Sequence, residues 1–369
     1  MKYLFIIQGE GRGHLTQAIT LERLLVQNGH SVVGMLVGKS PSRQLPDFFT
    51  RAVSAPVSQF ESINFQNSSK NRKPDMFKSV FYNMLLFVKY FPSIRYIRRQ
   101  ILDSGADVVV NFYESLVGFA YMAHRIPVPQ VSIGHQYLFF HKNFGLPVTH
   151  YPGHTGLNGL SKMNSFGAKK RLALSFMPLP DDPKHRIKVV PPLLRREVIG
   201  LRHPVSGASP RVTQGDYILG YMLNPGFSED VLAWHKEHPD VELRFFWDKW
   251  SEGNVKKIDD TLSFHLIDDK EFLSQMAGCR AYASTAGFES ICEAMYLGKP
   301  ILMVPSHIEQ EINAFDAKRN GAGVSAKEFD LSVLIDFAVD FVPNEKFVSW
   351  VESADMLILK ELESAAEKK

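Results

Sequence analysis

Short apolar runs alternate along the chain with longer stretches whose apolar positions recur every three or four residues. "KYLFIIQ" (2–8) has the makeup of a buried strand. Residues 15–28 then place Ala18, Leu21, Leu24 and Leu25 at helical spacing, and Gly29 in "NGH" suits the position just past a helix end. "SVVGMLVG" (31–38) is the next strand. Strand, tight loop, helix and strand make a βαβ unit, which implies a parallel sheet. The alternation continues with "ADVVVNF" (106–112) as strand, "ESLVGFAYMAHRI" (114–126) as helix and "PVPQVSIG" (127–134) as strand. "IKVVPPLLRRE" (187–197) is a strand that runs into a proline-rich turn.

Residues 198–216, "VIGLRHPVSGASPRVTQGD", are rich in Gly, Ser, Pro and polar side chains and form the best linker candidate. Beyond them the pattern restarts. Strands fall at 217–223, 241–247, 262–267, 280–285 and 300–305, with helices at 228–238, around 270–277 and around 288–297. The expected fold is α/β, with two domains of parallel sheet facing across a cleft. The expected domains are 1–200 and 215–345, and the stretch 346–369 reads as a terminal helix.

Composition adds mainly exclusions. The 369 residues are 45% apolar and 22% charged, and 42 basic against 39 acidic residues leave a net charge of +3. That balance gives no reason to expect nucleic acid as a partner. The two cysteines, Cys279 and Cys292, sit in apolar surroundings and make no disulfide framework, which points to a reducing, cytoplasmic setting. No zinc-type Cys/His cluster is present. "MKYLFII" is shorter than the roughly 7–15 apolar residues of a signal-peptide core. The most membrane-like run, "MFKSVFYNMLLFVKYF" (76–91), is broken by Lys78 and Lys89.

Two glycine loops carry the chemistry. "GEGRGH" (9–14) follows the first strand. A dinucleotide fingerprint needs glycine where His14 stands, and an acid near the end of the second strand, where none occurs. A phosphate loop needs a Gly-Lys pair that is also missing. What remains is a turn at the carboxyl end of a strand, with Gly13 and His14 at the first turn of a helix, where open α/β sheets bind ligands. The second loop opens "STAGFESICEAMYLGKPILMVPSHIEQEINA" (284–314). Thr285 and Gly287 lead into a helix whose N-terminus, with about half a unit of positive charge and free N–H groups, can hold a diphosphate without a metal. Ser290 lies on that first turn. Glu293 is placed to accept from ribose hydroxyls, and Glu309 and Gln310 are placed to bond a sugar.

At these residues the sequence resembles the GT-B nucleotide-sugar glycosyltransferases, and most of all the group containing the peptidoglycan lipid-intermediate N-acetylglucosaminyltransferase. UDP-glycosyltransferases acting on small lipophiles are more distant kin. "GEGRGH" is similar to the family's acceptor-domain loop ending in His, and "LIDDKEFLSQMAGCRAYASTAGFESICEAMYLGKPILMVP" (266–305) resembles its donor-domain signature. The resemblance implies that Gly287 and Ser290 contact phosphate and that Glu293 binds ribose. It also implies that Ile267 meets uracil through its backbone, and that Glu309 and Gln310 in "EQEINA" meet the sugar. "PPLLR" resembles the interdomain turn whose arginine approaches the diphosphate, which implies Arg195. In such proteins a terminal helix often crosses back to the first domain.

The implied reaction is an inverting, metal-independent and cofactor-free transfer from a nucleoside-diphosphate sugar, UDP-linked, to an acceptor hydroxyl. His14 is the candidate general base. Relatives place an Asp on the strand end where this chain has Asn111, so Glu114 is the candidate to stand in for it. His135 and Gln136 in "GHQYLFFHKNF" (134–144) are candidate acceptor contacts. Phe139, Phe140, His141 and Lys142 have the aromatic-plus-basic character of a membrane-interface loop, with core packing as the even alternative. The Phe/Tyr stripe within 76–96 is read as core. The acceptor is open, with a lipid or other cell-envelope precursor at the inner membrane face as the expectation. Asp268 and Asp269 are read as caps of the following helix. Two other readings share the donor site: a sugar-nucleotide epimerase, and a non-catalytic sugar-nucleotide-binding protein.

Overall fold

The computed structural model describes residues 1–39, 44–63, 87–146, 152–202, 214–222 and 224–367. The chain divides into two compact units. One takes the described residues up to Arg195 and those from Trp350 onward; the other runs Arg196–Ser349.

The first unit contains β1 (Lys2–Gln8), α1 (Arg12–Gln27), β2 (Ser31–Lys39), α2 (Asp47–Ala52), β3 (Val57–Glu61), α3 (Phe91–Asp103), β4 (Val108–Phe112), α4 (Ser115–Ala123), β5 (Gln130–Ile133), α5 (Pro152–Asn164), β6 (Lys170–Leu174) and β7 (Ile187–Val190). The second contains α6 (Arg196–Arg202), β8 (Tyr217–Tyr221), α7 (Ser228–Glu237), β9 (Glu242–Trp247), β10 (Val255–Lys257), β11 (Leu262–Leu266), α8 (Asp269–Gly278), β12 (Ala281–Ser284), α9 (Phe288–Tyr296), β13 (Ile301–Met303), α10 (Ile308–Arg319), β14 (Gly323–Ser325) and α11 (Leu331–Val339). Helix α12 (Glu345–Glu352) spans the later boundary, and α13 (Ala354–Ala366) follows it in the first unit.

The first sheet has strand order β3-β2-β1-β4-β5-β6-β7 and every pairing in it is parallel. The second has order β10-β11-β9-β8-β12-β13-β14, parallel except for its β10 edge. The protein is therefore α/β, with two Rossmann-like sheets. Central strands are buried on both faces, so they read as continuous apolar runs. Helix α1 ends where Asn28 Nδ2 donates to Leu24 O (2.8 Å) and Gly29 turns to φ 76°, a conformation that favours glycine.

The structure bears on three expectations. The first residues of the expected linker are helical: α6 groups with the second unit, where Arg202 donates to Tyr296 O (2.9 Å) and pairs with Glu345 (2.6 Å). The stretch 139–142 is mostly interior rather than an interface loop. Phe139 and His141 are buried, Phe140 is half-buried with Lys162 and Arg171 5.5 and 5.9 Å from its ring centre, and Lys142 is exposed. Most of the 76–96 stripe lies outside the described residues; within it Tyr90 is buried and Tyr96 half-buried, but Phe91 is exposed and not core. Helix α13 is tied to the first unit by Lys169, which donates to Ala365 O (3.0 Å), and by Lys170, which pairs with Glu361 (2.6 Å).

Candidate active site

Each unit carries one cluster of candidate residues, at the point where its strand order reverses. In open α/β sheets the crevice beyond the strand ends at that point is where ligands bind.

In the first unit the reversal lies between β1 and β4. Gly9 packs against β2, its N–H donating to Gly38 O at 2.7 Å. A Cβ there would stand 2.7 Å from Val37 Cγ1 and 2.8 Å from Gly38 O, so only glycine fits. The chain then enters α1 at Arg12, which places Gly13 and His14 in the first turn. The His14 ring is half-buried, its Nδ1 3.5 Å from Gln17 Oε1. It stacks on Tyr113, with centroids 5.8 Å apart and planes 23° apart. Desolvation lowers the His14 pKa to about 4, only partly opposed by Gln17. The imidazole is accordingly neutral at physiological pH.

Tyr113 directly follows β4 and has φ 59°, unusual for an aromatic residue. Asn111 over-determines this turn. Its Oδ1 accepts from Glu114 N (2.8 Å), and its Nδ2 donates to Asn164 O (2.9 Å) and Glu114 O (3.3 Å). Tyr113 Oη lies 2.7 Å from Ser161 Oγ, and Asn164 Nδ2 donates to Tyr113 O at 3.3 Å. Asn111, in the place of the relatives' acid, thus shapes the turn that presents the ring beneath His14. Sequence reasoning missed Tyr113. The available signal was an aromatic residue directly after the strand that borders the reversal point.

The Glu114 carboxylate is engaged at the start of α4. It N-caps α4 by accepting from Leu116 N (3.0 Å) and from Ser62 Oγ (2.5 Å), and it is wholly buried beside Gly38. Burial raises its pKa to about 7, with Glu10 adding a smaller upward push. His135 and Gln136 are also interior. His135 Nδ1 lies 2.7 Å from Leu174 O, and its ring meets the edges or faces of Phe139, Phe144 and Phe176. This packing withdraws the His135 ring from the surface expected of an acceptor contact.

In the second unit the reversal lies between β8 and β12. Buried Thr285 donates its N–H to Tyr221 O (3.3 Å), and Ala286 turns to φ 60°. Ser284 Oγ accepts from Ala286 N (3.2 Å), while Asn313 Nδ2 donates to Ala286 O (3.2 Å). Gly287 is the N-cap of α9 and supplies no side-chain cap. A Cβ on it would meet only Ser290 Oγ, at 3.7 Å. Ser290 Oγ donates to Gly287 O at 3.2 Å. The helix thus opens toward the strand ends with its N-terminal field uncapped by Gly287.

Glu293 is buried on α9, and half-buried Glu309 stands in the first turn of α10. Gln310 turns its Oε1 back to Ser306 N (2.9 Å) and Ser306 Oγ (2.7 Å), which leaves Nε2 as the group able to donate to a ligand. Ile267 donates its N–H to Trp247 O (3.2 Å), so its carbonyl is the backbone group left for a base. Asp268 caps α8, accepting from Lys270 N (3.0 Å) and Glu271 N (2.9 Å). Arg195 is half-buried and is the last residue of the first unit before α6.

Comparison with known proteins fits this arrangement. The family model described as glycosyl transferase family 1 matches residues 1–343. No curated protein matches the sequence. Among solved structures, the glycotransferase of kitacinnamycin is 15% identical, with a TM-score of 0.63 over 99% of this chain and 98% of that one. Medicago truncatula UGT71G1, complexed with UDP-glucose, is 14% identical with a TM-score of 0.63, over 99% and 98% of the two chains. The calicheamicin glycosyltransferase CalG4 is 16% identical with a TM-score of 0.62, over 98% of each. The fold is that of the GT-B glycosyltransferases. The chain belongs to glycosyl transferase family 1 and is a glycosyltransferase.

Proposed function

We propose that the protein moves a sugar from a UDP-linked donor to an acceptor hydroxyl, with inversion at the anomeric carbon and without a metal or cofactor. The observation that carries this reading is the Ala286–Gly287 turn, which opens α9 with a glycine and no side-chain cap. A diphosphate seated there is met by main-chain N–H groups, the helix field and Ser290, with Arg195 adding a cationic contact. These groups stabilise the charge that grows as the glycosidic bond breaks. Glu293 receives the ribose, the Ile267 carbonyl the uracil, and Glu309 with Gln310 the sugar hydroxyls. The UDP-glucose bound by Medicago truncatula UGT71G1 supports a uridine donor on this fold.

His14 takes the proton of the attacking hydroxyl. Being neutral, it holds a free lone pair. Its low pKa makes it a weak base, so the proton leaves the acceptor as the new bond forms rather than before it. The acceptor is a lipid or other cell-envelope precursor at the cytoplasmic face of a membrane, as the likeness to the lipid-intermediate transferases suggests.

The test is UDP release from UDP-sugars with and without a lipid extract as acceptor source. Release that needs the extract, and that falls about a hundredfold or more in His14→Ala, supports the reading. Conversion of the sugar nucleotide without acceptor makes the protein an epimerase. Full biological activity in His14→Ala removes the base assignment.

A further inference from the structure

Helix α3 has two unlike faces. Ile94, Ile97 and Ile101 are buried in one core cluster with Leu116, Val117 and Ala120 of α4 and Leu4 and Ile6 of β1. The opposite stripe, at the i, i+4, i+7, i+8 and i+11 positions, is Phe91, Arg95, Arg98, Arg99 and Leu102, and all five are exposed. Phe91 is 46% and Leu102 40% exposed, and Val88, in the turn that leads into the helix, is 72% exposed. The only acid between residues 87 and 103 is Asp103, which accepts from Arg99 Nε at 3.3 Å.

A solvated helix face of a soluble protein carries mixed charges and few large apolar groups. This face carries three arginines, interleaved with Phe91 and Leu102 and continued by Val88. The geometry points to a membrane-docking surface: α3 lies flat on an anionic phospholipid bilayer, with its arginines on lipid phosphates and Phe91, Leu102 and Val88 in the interfacial layer. Guanidinium groups suit this site because they take phosphate oxygens in pairs and stay charged at any physiological pH. The apolar side chains distinguish the occupant from a purely electrostatic partner such as nucleic acid, since they gain only where hydrocarbon is within reach. Charge complementarity also argues against a second copy of this chain, because two such faces would set six arginines against each other. The face deepens the reading of a membrane-borne acceptor, but it stands or falls separately, because vesicle binding needs no turnover.

The experiment is co-sedimentation of the full chain with vesicles of phosphatidylcholine alone or mixed with phosphatidylglycerol. The wild type is expected to pellet with the mixed vesicles only, and less as salt rises. Arg95→Glu/Arg98→Glu should weaken partitioning roughly tenfold or more. Phe91→Ala/Leu102→Ala should weaken it several-fold even at low salt, where the arginines alone are strongest. Unchanged melting temperature and UDP affinity show that each variant is folded, since UDP is read at the second unit. No binding to anionic vesicles, equal binding to neutral ones, or variants that bind like the wild type would overturn the inference. So would a wild-type dimer in gel filtration that the double-Glu variant loses.

Discussion

The imidazole of His14 lies over the ring of Tyr113, 5.8 Å between centroids, with no carboxylate among its contacts in the described residues. Asn111 stands where the resemblance implies an acid, and the ring packed against His14 is that of Tyr113. Such an aromatic platform fixes the imidazole without stabilising an imidazolium. Activity should therefore stay flat from neutral pH downward and fall only with an apparent pKa near 4, where His14 takes a proton. A kcat/KM profile with its acidic limb near 6.5 would show that the ring is not desolvated during turnover.

Replacing the platform tests it directly. Tyr113→Phe keeps the stack and removes the Oη–Ser161 hydrogen bond, so kcat should change little. Tyr113→Leu removes the stack, admits water and should raise the His14 pKa toward 6.5, as followed by NMR of the labelled imidazole. An unmoved His14 titration in Tyr113→Leu would contradict the role given to this ring.

Glu114 makes the first unit sensitive to rising pH. Its pKa is raised from 4.5 to about 7, so the native state holds a proton that the unfolded chain has released. The stabilising proton is fully present below pH 4.5, and stability falls as pH rises through 7, by about 3 kcal/mol in all. Glu114→Gln keeps a neutral side chain of the same shape and should remove this group's share of the slope, about 1.4 kcal/mol per unit, in urea titrations between pH 5 and pH 7. An identical slope in the variant would place the titration elsewhere.

Two glycines should respond oppositely to alanine. At Gly9 the new Cβ meets Val37 and the Gly38 carbonyl at under 3 Å, so Gly9→Ala should cost about 1–3 kcal/mol of stability. At Gly287 the nearest atom is 3.7 Å away and φ is −69°, so Gly287→Ala should change stability by less than about 0.5 kcal/mol. Its effect should fall on diphosphate binding, because a methyl group there intrudes on the anion. Equal loss of stability in the two variants would mean that Gly287 is structural.

The parts that sequence made legible are those specified locally. The βαβ alternation shows because strands such as β1 and β4 are buried on both faces and must be apolar throughout. The donor turn shows because glycine, serine and acid recur at fixed offsets along one helix. What stayed hidden depends on distant partners. The Tyr113 turn is held by Asn164, 53 residues beyond Asn111. His141 is drawn inward because Nε2 meets Pro180 O (2.8 Å), and the Lys142 N–H donates to Asp182 (3.2 Å), contacts about forty residues away. Helix α6 looked like linker because its anchors, Tyr296 and Glu345, lie 94 and 143 residues beyond Arg202. Glu114 was read as a partner for His14, but the cap it makes on α4 sets its direction.

The most direct test of the donor site is calorimetric titration of UDP into the wild type in the presence of a chelator, beside Gly287→Ala. The account predicts binding that the chelator leaves intact and that Gly287→Ala weakens by about tenfold or more, with no loss of melting temperature. Absence of UDP binding, binding that vanishes with the chelator, or equal affinity in Gly287→Ala would contradict it.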